Sequence, residues 1–124
     1  MRKHNFKKLE VWKKARVLVA EIYKNTAAYP KDERFGLVTQ IRRAAVSISL
    51  NIAEGSGRGT NKDFSRFLDF AYGSALEVET LCYLSYDLEF INEMTMDSLI
   101  EKINEIEKMI NGLQDKLGVT SSDF

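Results

Sequence analysis

The most regular pattern of apolar and polar positions runs through residues 35–59. At about 100° of rotation per residue, a helix over this stretch has one apolar face and an adjoining polar stripe. The apolar face consists of Leu37, Ile41, Ala44, Ala45, Ile48 and Ile52, and the polar stripe of Gln40, Arg43, Ser47, Asn51 and Glu54. A second apolar strip, formed by Val46, Leu50 and Ala53, lies beyond the polar stripe. Polar groups between two apolar faces are typical of a helix buried on more than one side, which favours a bundle that also assembles.

Helical spacing and breaker residues set the bounds of the first two predicted helices. The first helix is predicted to begin near Leu9 and to end before Tyr29, because the proline that follows Tyr29 disfavours a helical conformation there. The second helix is predicted to have Asp32 as its N-cap and to run to Glu54. Gly55 then fits the left-handed position that ends many helices.

Two more helices follow the glycine-rich turn. The third is predicted over residues 61 to 87 or 88, with Thr60 and Asp63 matching a capping box. The last is predicted to have Thr95 as its cap, because a regular apolar seam begins one turn later. That seam consists of Leu99, Ile103, Ile106, Ile110, Leu113 and Leu117.

The short links between these segments predict the fold class. We expect an all-α protein, an up-down-up-down antiparallel four-helix bundle. Its 124 residues suit one domain over 1–124, with 1–8 and 119–124 as loose ends. The single cysteine, Cys82, excludes a disulfide framework and favours a reducing compartment. No stretch has the pattern of a signal peptide or a membrane span, so we predict a cytoplasmic protein without a membrane partner.

The third helix carries more large apolar side chains than one inner face needs. Its inner stripe is Phe64, Phe67, Leu68, Ala71, Ala75, Val78 and Cys82. One flank carries Phe70, Leu81, Leu84 and Leu88, and the other carries Tyr72, Leu76 and Tyr83. Exposed flanks of this kind form a patch that monomers rarely show, so they predict contacts between subunits. The small residues Gly73 and Ser74 in mid-helix further predict a close crossing by another helix.

The charges balance over the whole chain but not along it. There are 18 basic and 18 acidic residues, yet residues 1–16 carry a net charge of +6 and residues 87–124 a net charge of −6. This asymmetry fits a basic arm for nucleic acid. It also fits two helices whose opposite charges attract each other within or between bundles, and we favour this second interpretation.

The sequence offers little catalytic machinery. His4 is the only histidine and lies in a basic terminal segment, so no Ser-His or Cys-His dyad is predicted on a rigid element. The Glu-x-x-His repeat with which helix bundles bind paired metals is absent from the sequence. Glu54 and Glu77 are the best candidates for inward carboxylates, and we expect neighbouring polar groups to hold them. We therefore predict a protein that is not an enzyme, without catalytic residues, metal or cofactor.

A nucleic-acid interface has more support. Its candidate residues are Arg42, Arg58, Lys62 and Arg66, together with Lys7 and Lys8 of the basic N-terminal segment. Multiplied in an oligomer, they would contact phosphates without reading bases. Arg42 and Arg43 have an alternative role as internal ion-pair partners, which we favour for Arg43. We assign internal or intersubunit hydrogen bonding that fixes register to the structural polar stripe of Gln40, Arg43, Ser47, Asn51, Glu54, Ser74 and Glu77.

These residues resemble a known family. The blocks that carry the resemblance are Phe6-Lys7-Lys8-Leu9, Val11-Trp12, Tyr29-Pro30, Phe35-Gly36-Leu37, Gln40-Ile41-Arg42-Arg43-Ala44-Ala45, Ser47-Ile48, Asn51-Ile52-Ala53-Glu54-Gly55, Phe64, Phe67-Leu68, Gly73-Ser74 and Glu77-Val78-Glu79-Thr80. They are similar to bacterial four-helix-bundle proteins encoded in 23S ribosomal RNA intervening sequences. Phe35 stands where tyrosine is common in the family, and Val78 where leucine is common.

The resemblance implies a four-helix bundle that assembles as a ring-shaped homopentamer, and the family has no established activity. A protein similar in fold, the accessory variability protein of diversity-generating retroelements, binds nucleic acid and a reverse transcriptase. We therefore predict a non-enzymatic, cytoplasmic homo-oligomer that contacts RNA or DNA through its basic residues. The alternative is a scaffold or adaptor that binds another protein.

Overall fold

The computed structural model describes residues 4–118, which form four α-helices joined by short links. The helices are α1 (Glu10–Thr26), α2 (Leu37–Ser56), α3 (Asn61–Asp87) and α4 (Glu93–Leu117). Short 3₁₀ helices at Phe6–Lys8 and Lys31–Glu33 precede α1 and α2. The described residues contain no strand. The predicted all-α bundle of four helices is confirmed.

Contacts between neighbouring helices join residues in opposite chain directions. Between α2 and α3, Ser47 lies near Ser74 and Gly55 near Phe67. Between α3 and α4, Asn61 lies near Leu117 and Ser65 near Gln114. Between α1 and α4, Lys14 lies near Glu105 and Glu21 near Lys102. Each of these three pairs is therefore antiparallel, as an up-down-up-down order requires.

The core lies between the four helices, and each helix contributes one apolar stripe to it. The side chains that are fully buried and largest are Leu18, Ile22, Ile41, Ile48, Ile52, Phe64, Leu68, Val78, Leu99, Ile103, Ile106 and Ile110. The predicted inner stripe of α3 is buried along its whole length. The three-to-four spacing of apolar residues therefore identified the core-facing side of the helix correctly.

Gly55 does not end the second helix, contrary to the prediction. The helix continues through Gly55 to Ser56, and its C-cap is Gly57, with a φ of −85°. A Cβ atom on Gly55 would lie 2.7 Å from Cβ of Phe67 and 2.9 Å from Cδ1 of Phe64. Gly55 is thus needed for the close approach of α2 to α3, and the left-handed conformation plays no part.

The second helix also begins later than predicted. Asp32 lies in a 3₁₀ helix and is not the N-cap of α2, which starts at Leu37. The side chain of Glu33 takes the capping role, because its Oε1 accepts a hydrogen bond from the backbone N–H of Leu37 at 3.3 Å. A carboxylate at this end also complements the positive end of the helix dipole.

The cap of α3 follows the prediction, whereas the cap of α4 does not. Oγ1 of Thr60 accepts a hydrogen bond from the backbone N–H of Asp63 at 3.1 Å. The last helix begins at Glu93, and its N-cap is Asn92, whose Oδ1 accepts from the backbone N–H of Thr95 at 2.8 Å. Thr95 is therefore the residue that is capped, one turn inside the helix.

The N-terminal segment is packed against the bundle over its described part, although residues 1–8 were expected to be a loose end. The ring of Phe6 meets Trp12 edge-on at 5.0 Å between centroids, and the His4 ring lies 5.0 Å from that of Phe64. Aromatic contacts of this kind outweigh the local polarity of the segment. The other predicted loose end, 119–124, lies outside the described residues.

The flanks of α3 remain largely uncovered within the single chain. Leu81 is buried, but Phe70, Leu84 and Leu88 on one side and Leu76 and Tyr83 on the other are exposed. A Cβ atom on Gly73 would meet no atom within 4 Å. The close crossing predicted at this glycine is therefore not made by a helix of the described chain.

A lipid bilayer requires a spanning helix to be both long and apolar. Over residues 4–118, none of the helices combines these two properties.

The contact at Gly55 gives a direct test of the α2–α3 packing. We expect Gly55→Ala to lower the free energy of unfolding by about 1–3 kcal/mol, because the added methyl group overlaps Phe64 and Phe67. Urea denaturation followed by circular dichroism measures the change.

The matched control is Gly112→Ala in α4, where a Cβ meets no atom within 4 Å. It should raise the free energy of unfolding by up to about 1 kcal/mol, because alanine is the better helix former. Equal stability of both variants would contradict the close approach.

Candidate nucleic-acid interface

Two arginines enclose one phenylalanine ring where α2 passes into α3. The guanidinium carbon of Arg58 lies 4.5 Å from the centroid of the Phe67 ring, and that of Arg66 lies 5.3 Å from it. Arg66 also lies 5.8 Å from the centroid of Phe70. Phe67 is only 8% exposed, so the ring is a fixed support for both cations. Stacking of this kind orients a guanidinium while leaving its N–H groups at the edge free to donate.

Each of these arginines has a carboxylate beside it. Arg66 donates to Oδ1 of Asp63 from Nε at 3.2 Å and from Nη2 at 2.9 Å, while Arg58 lies 3.5 Å from Oε1 of Glu54. Between a third and two thirds of each of these four side chains is exposed. Ion pairs this exposed contribute little free energy, so a phosphate can compete for the same N–H groups.

Three lysines extend the positive surface around this turn. Lys62 is exposed on the first turn of α3, and the described chain provides it with no ion pair. The contact of His4 with Phe64 holds the N-terminal segment against the same turn of α3. Lys7 and Lys8 follow in the 3₁₀ helix, and both are exposed. The structure therefore brings five of the predicted cations, Lys7, Lys8, Arg58, Lys62 and Arg66, to one end of the bundle.

Arg42 lies elsewhere, near the other end of α2. Its Nε donates to Oγ1 of Thr26 at 2.9 Å, its Nη2 donates to the backbone oxygen of Tyr23 at 3.3 Å, and its guanidinium lies 4.4 Å from the Tyr23 ring centroid. At about 1.5 Å per residue, Arg42 is about 20 Å from the end of α2 that leads to Arg58. A cation at the C-terminus of α1 also complements the helix dipole. This arginine joins α1 to α2 and is separate from the basic turn.

The predicted polar stripe is only partly engaged within the chain. The hydroxyl groups of Ser47 and Ser74 lie 2.9 Å apart, and Asn51 donates to both the carbonyl and the hydroxyl oxygen of Ser47. The Ser47–Ser74 bond connects α2 to α3, while the two Asn51 bonds stay within α2 and hold the Ser47 hydroxyl group. Glu54 and Glu77, which were expected to point inward, are both exposed. Gln40 and Arg43 line a shallow depression with Glu77 and Phe35, and within residues 4–118 no hydrogen bond or ion pair reaches the Arg43 guanidinium.

The inward carboxylate of the bundle is Glu107, which the sequence predictions missed. Glu107 is 9% exposed, and its Oε2 is buried without a hydrogen-bond partner in the described chain. Burial, together with a hydrogen bond to Glu79 across the α3–α4 seam and the charge of Glu79, raises the pKa of Glu107 to about 7. The position could have been found from spacing, because Glu107 follows Ile103 by four residues on the buried side of α4.

Two other buried polar groups are accounted for by their neighbours. Nε2 of Gln114 donates to the backbone oxygen of Ser65 at 3.0 Å and to Oδ1 of Asp69 at 2.9 Å, which fixes α4 against α3. Burial, followed by the charge of Glu79, raises the pKa of the Cys82 thiol to about 12. Cys82 is therefore a protonated core residue at neutral pH.

The described residues contain no group of three or more His, Cys, Asp or Glu side chains arranged to hold a metal ion.

Comparison with known proteins gives a consistent relationship. The profile of the family described as 23S rRNA-intervening sequence protein matches residues 7–112. A crystal structure of a protein with unknown function from the S23 ribosomal protein family, from Bacteroides thetaiotaomicron VPI-5482, shares 26% sequence identity and has a TM-score of 0.76. The match covers 84% of this chain and 97% of that one. A comparison with curated proteins gives no match. The similarity thus extends through all four helices.

The raised pKa of Glu107 predicts how stability depends on pH. In the monomeric chain, the folded pKa of Glu107 is about 7 and the ordinary pKa of a glutamate is 4.5, so the folded state holds more protons between these values. The free energy of unfolding should therefore decrease by about 1–3 kcal/mol as the pH rises from about 4.5 to about 7. Glu107→Gln should reduce this dependence, because the amide stays neutral. Urea denaturation at several pH values, at concentrations that keep the chain monomeric, measures the effect.

The matched control for this test is Glu101→Gln, because Glu101 is exposed on the same helix. It should leave the pH dependence as in the unmodified chain. If Glu107→Gln and Glu101→Gln give the same pH profile as the unmodified chain, the buried carboxyl pair does not hold an additional proton.

Proposed function

The chain belongs to the 23S rRNA-intervening sequence protein family, as its resemblance predicted, and we propose that it is a non-enzymatic homo-oligomer that associates with RNA or another nucleic acid. The observation that carries this proposal is the basic end of the bundle. There, Arg58 and Arg66 are held on the ring of Phe67, and Lys62 lies between them in sequence. Lys7 and Lys8 add to the same surface.

The chemistry of this surface suits phosphate groups. Arginine presents a planar set of N–H donors that matches phosphate oxygens, and the Phe67 ring beneath both arginines fixes their orientation. The carboxylates of Glu54 and Asp63 compensate part of the positive charge of Arg58 and Arg66, while Lys62 has no ion pair in the described chain. Contacts to phosphates depend on charge and do not read bases, so we propose binding with little sequence preference.

Assembly is supported by the apolar side chains that the single chain leaves exposed. They include Val17, Phe35, Leu50, Phe70, Leu76, Tyr83, Leu84, Leu88 and Met94. Exposed apolar side chains on both flanks of α3 favour contact with another protein surface, and a second copy is always available. We propose the ring of five chains that the family resemblance implies, because a ring would place several basic ends on one face. The reduced state of a core cysteine favours a cytoplasmic location.

The non-enzymatic role is supported by the state of the reactive groups. The His4 ring packs against Phe64, and the pKa of the Cys82 thiol is about 12, far above neutrality. The buried Glu107 carboxyl group is occupied by its interaction with Glu79. These groups are explained by packing, so we assign them no catalytic role.

A scaffold that binds another protein is the second candidate function. One observation favours it: Phe35 is 88% exposed and lies beside the uncovered depression that contains Arg43. A large aromatic side chain in this position is typical of an interaction anchor. Capture of one partner protein, together with indifference to RNA at low salt, would support this alternative over the first.

Light scattering on a size-exclusion column tests the assembly. We expect a mass of about five times the 14.2 kDa of one chain. The expected mass should persist in moderate salt, because burial of apolar flanks is less sensitive to screening than surface ion pairs. A one-chain mass at all concentrations would contradict the oligomeric part of the proposal.

The basic surface is tested by neutralising Arg58, Lys62 and Arg66 together to glutamine. We expect weaker binding to a fluorescent single-stranded RNA, measured by anisotropy at several salt concentrations. The slope of the logarithm of affinity against the logarithm of salt concentration should decrease by about 2, at about 0.7 for each phosphate that the protein no longer neutralises. The fold of the bundle should remain, because the ion pairs of Arg58 and Arg66 are exposed and contribute little free energy.

The matched control neutralises the exposed lysines Lys24, Lys31 and Lys108, which removes the same charge at other places. It should leave most of the affinity and of the salt slope. Equal weakening in both triple variants would indicate attraction by overall charge and would contradict a specific interface. Absence of binding by the unmodified protein at low salt would contradict the nucleic-acid proposal altogether.

A further inference from the structure

The exposed apolar side chains of the central helices lie on two different flanks. Leu50 of α2 lies with Phe70 and Leu84 on the side of α3 that faces α2, which we call the α2-side flank. Leu76, Tyr83 and Tyr86 lie on the side that faces α4, which we call the α4-side flank. All six side chains are between 37% and 61% exposed. A closed ring of identical chains joins two different faces of each chain, so a pair of unlike apolar flanks suits such a contact.

The α2-side flank carries a cation without a partner. Arg43 is exposed on α2, on the stripe that continues through Ser47 to Leu50. Gln40 and Glu77 line the same depression, and the described chain gives the Arg43 guanidinium no hydrogen bond or ion pair. Its five N–H donors are therefore available to an acceptor outside this chain.

The α4-side flank carries acceptors without a cation. Glu79 lies on this side of α3, partly exposed, one turn from Leu76 and one turn from Tyr83. Its carboxylate interacts with that of Glu107, whose Oε2 is buried without a partner in the described chain. Two carboxylates that face each other favour a nearby positive charge, because it removes their repulsion. Of the two carboxyl groups, that of Glu79 is partly exposed, so a cation outside the chain can approach the pair through Glu79.

The heights of the two sites along the bundle agree. The bond between Ser47 and Ser74 fixes the register of α2 against α3, and the two helices are antiparallel. Moving four residues back from Ser47 to Arg43 corresponds to moving four residues forward on α3, to position 78. Glu79 is the next residue, a shift of about 1.5 Å. In a ring whose axis is parallel to α3, rotation leaves heights unchanged, and a neighbouring copy would bring its Glu79 to the level of Arg43.

We propose that, in the assembled protein, Arg43 of one copy pairs with the Glu79–Glu107 carboxyl pair of the next copy, where the α2-side flank meets the α4-side flank. This inference rests on the proposed homo-oligomer and identifies its contact. The apolar flanks contribute most of the burial. The ion pair sets the register between copies, because a charge left unpaired in the buried contact is costly. The next copy thus provides the ion-pair partner that Arg43, in the polar stripe of α2, lacks within the described chain.

Charge reversal tests the pairing. Arg43→Glu and Glu79→Arg, each made alone, place like charges at the contact, and we expect the dissociation constant of assembly to rise about 100-fold. The double variant restores opposite charges and should recover assembly. Light scattering over a concentration series measures mass, and circular dichroism confirms helicity. Arg43→Gln provides the same test without a new charge and should also weaken assembly.

The matched control combines Arg43→Glu with Glu77→Arg. Glu77 lies in the same depression as Arg43, so this pair should not recover assembly. Recovery by Glu77→Arg would overturn the inference, since it indicates that Arg43 acts together with Glu77 and not with the Glu79–Glu107 pair. Assembly unchanged in Arg43→Glu, Arg43→Gln and Glu79→Arg would also overturn it, while the homo-oligomer would stand. A one-chain mass for the unmodified protein would reject the homo-oligomer itself.

Discussion

The close approach of α2 to α3 at Gly55 is the constraint on which the rest of the structure depends. Without a Cβ atom at this position, the helix backbone comes within contact distance of Phe64 and Phe67. That contact fixes Phe67, and the fixed ring in turn supports the guanidinium groups of Arg58 and Arg66. It also brings the two helices close enough for the serine–serine bond further along. The geometry of the basic surface and the register of the central helices therefore have one origin.

Arginine serves two different purposes in this bundle, and the environment decides between them. Arg42 is enclosed by the end of α1, where its donors complete a helix terminus and its charge complements the dipole. Arg58 and Arg66 lie on an aromatic ring at the surface, with only exposed carboxylates as partners. Cations of the first kind stabilise the fold, whereas those of the second kind remain available to phosphate. Arginines that carry the same charge in the sequence thus differ in how available their N–H donors are to a phosphate group.

Polar groups in the seams give the bundle its specificity. Gln114 satisfies its donors on α3, so it fixes the height of α4 with no net charge. The partner of Glu107 on α3 is another carboxyl group, that of Glu79, and its buried Oε2 has no hydrogen-bond partner in the described chain, so this pair favours either a proton or a cation. Arg43 of α2, which has no ion pair within residues 4–118, is the complementary case. Assembly of identical chains would bring these two incomplete sites together, which links the internal packing to the proposed oligomer.

The sequence by itself determined the number of helices, the inner stripes of α2, α3 and α4 and the Thr60 cap, because these depend on local spacing and on bonds between near neighbours. Only the tertiary structure decided the role of Gly55, which depends on a helix met later in the chain. It also decided that Arg42 is separate from the basic turn and that the side chains of Glu54 and Glu77 are exposed. Rotation and register of packed helices set these positions, and local periodicity does not encode them, because residues near the edge of a stripe become buried or exposed according to the neighbouring helix.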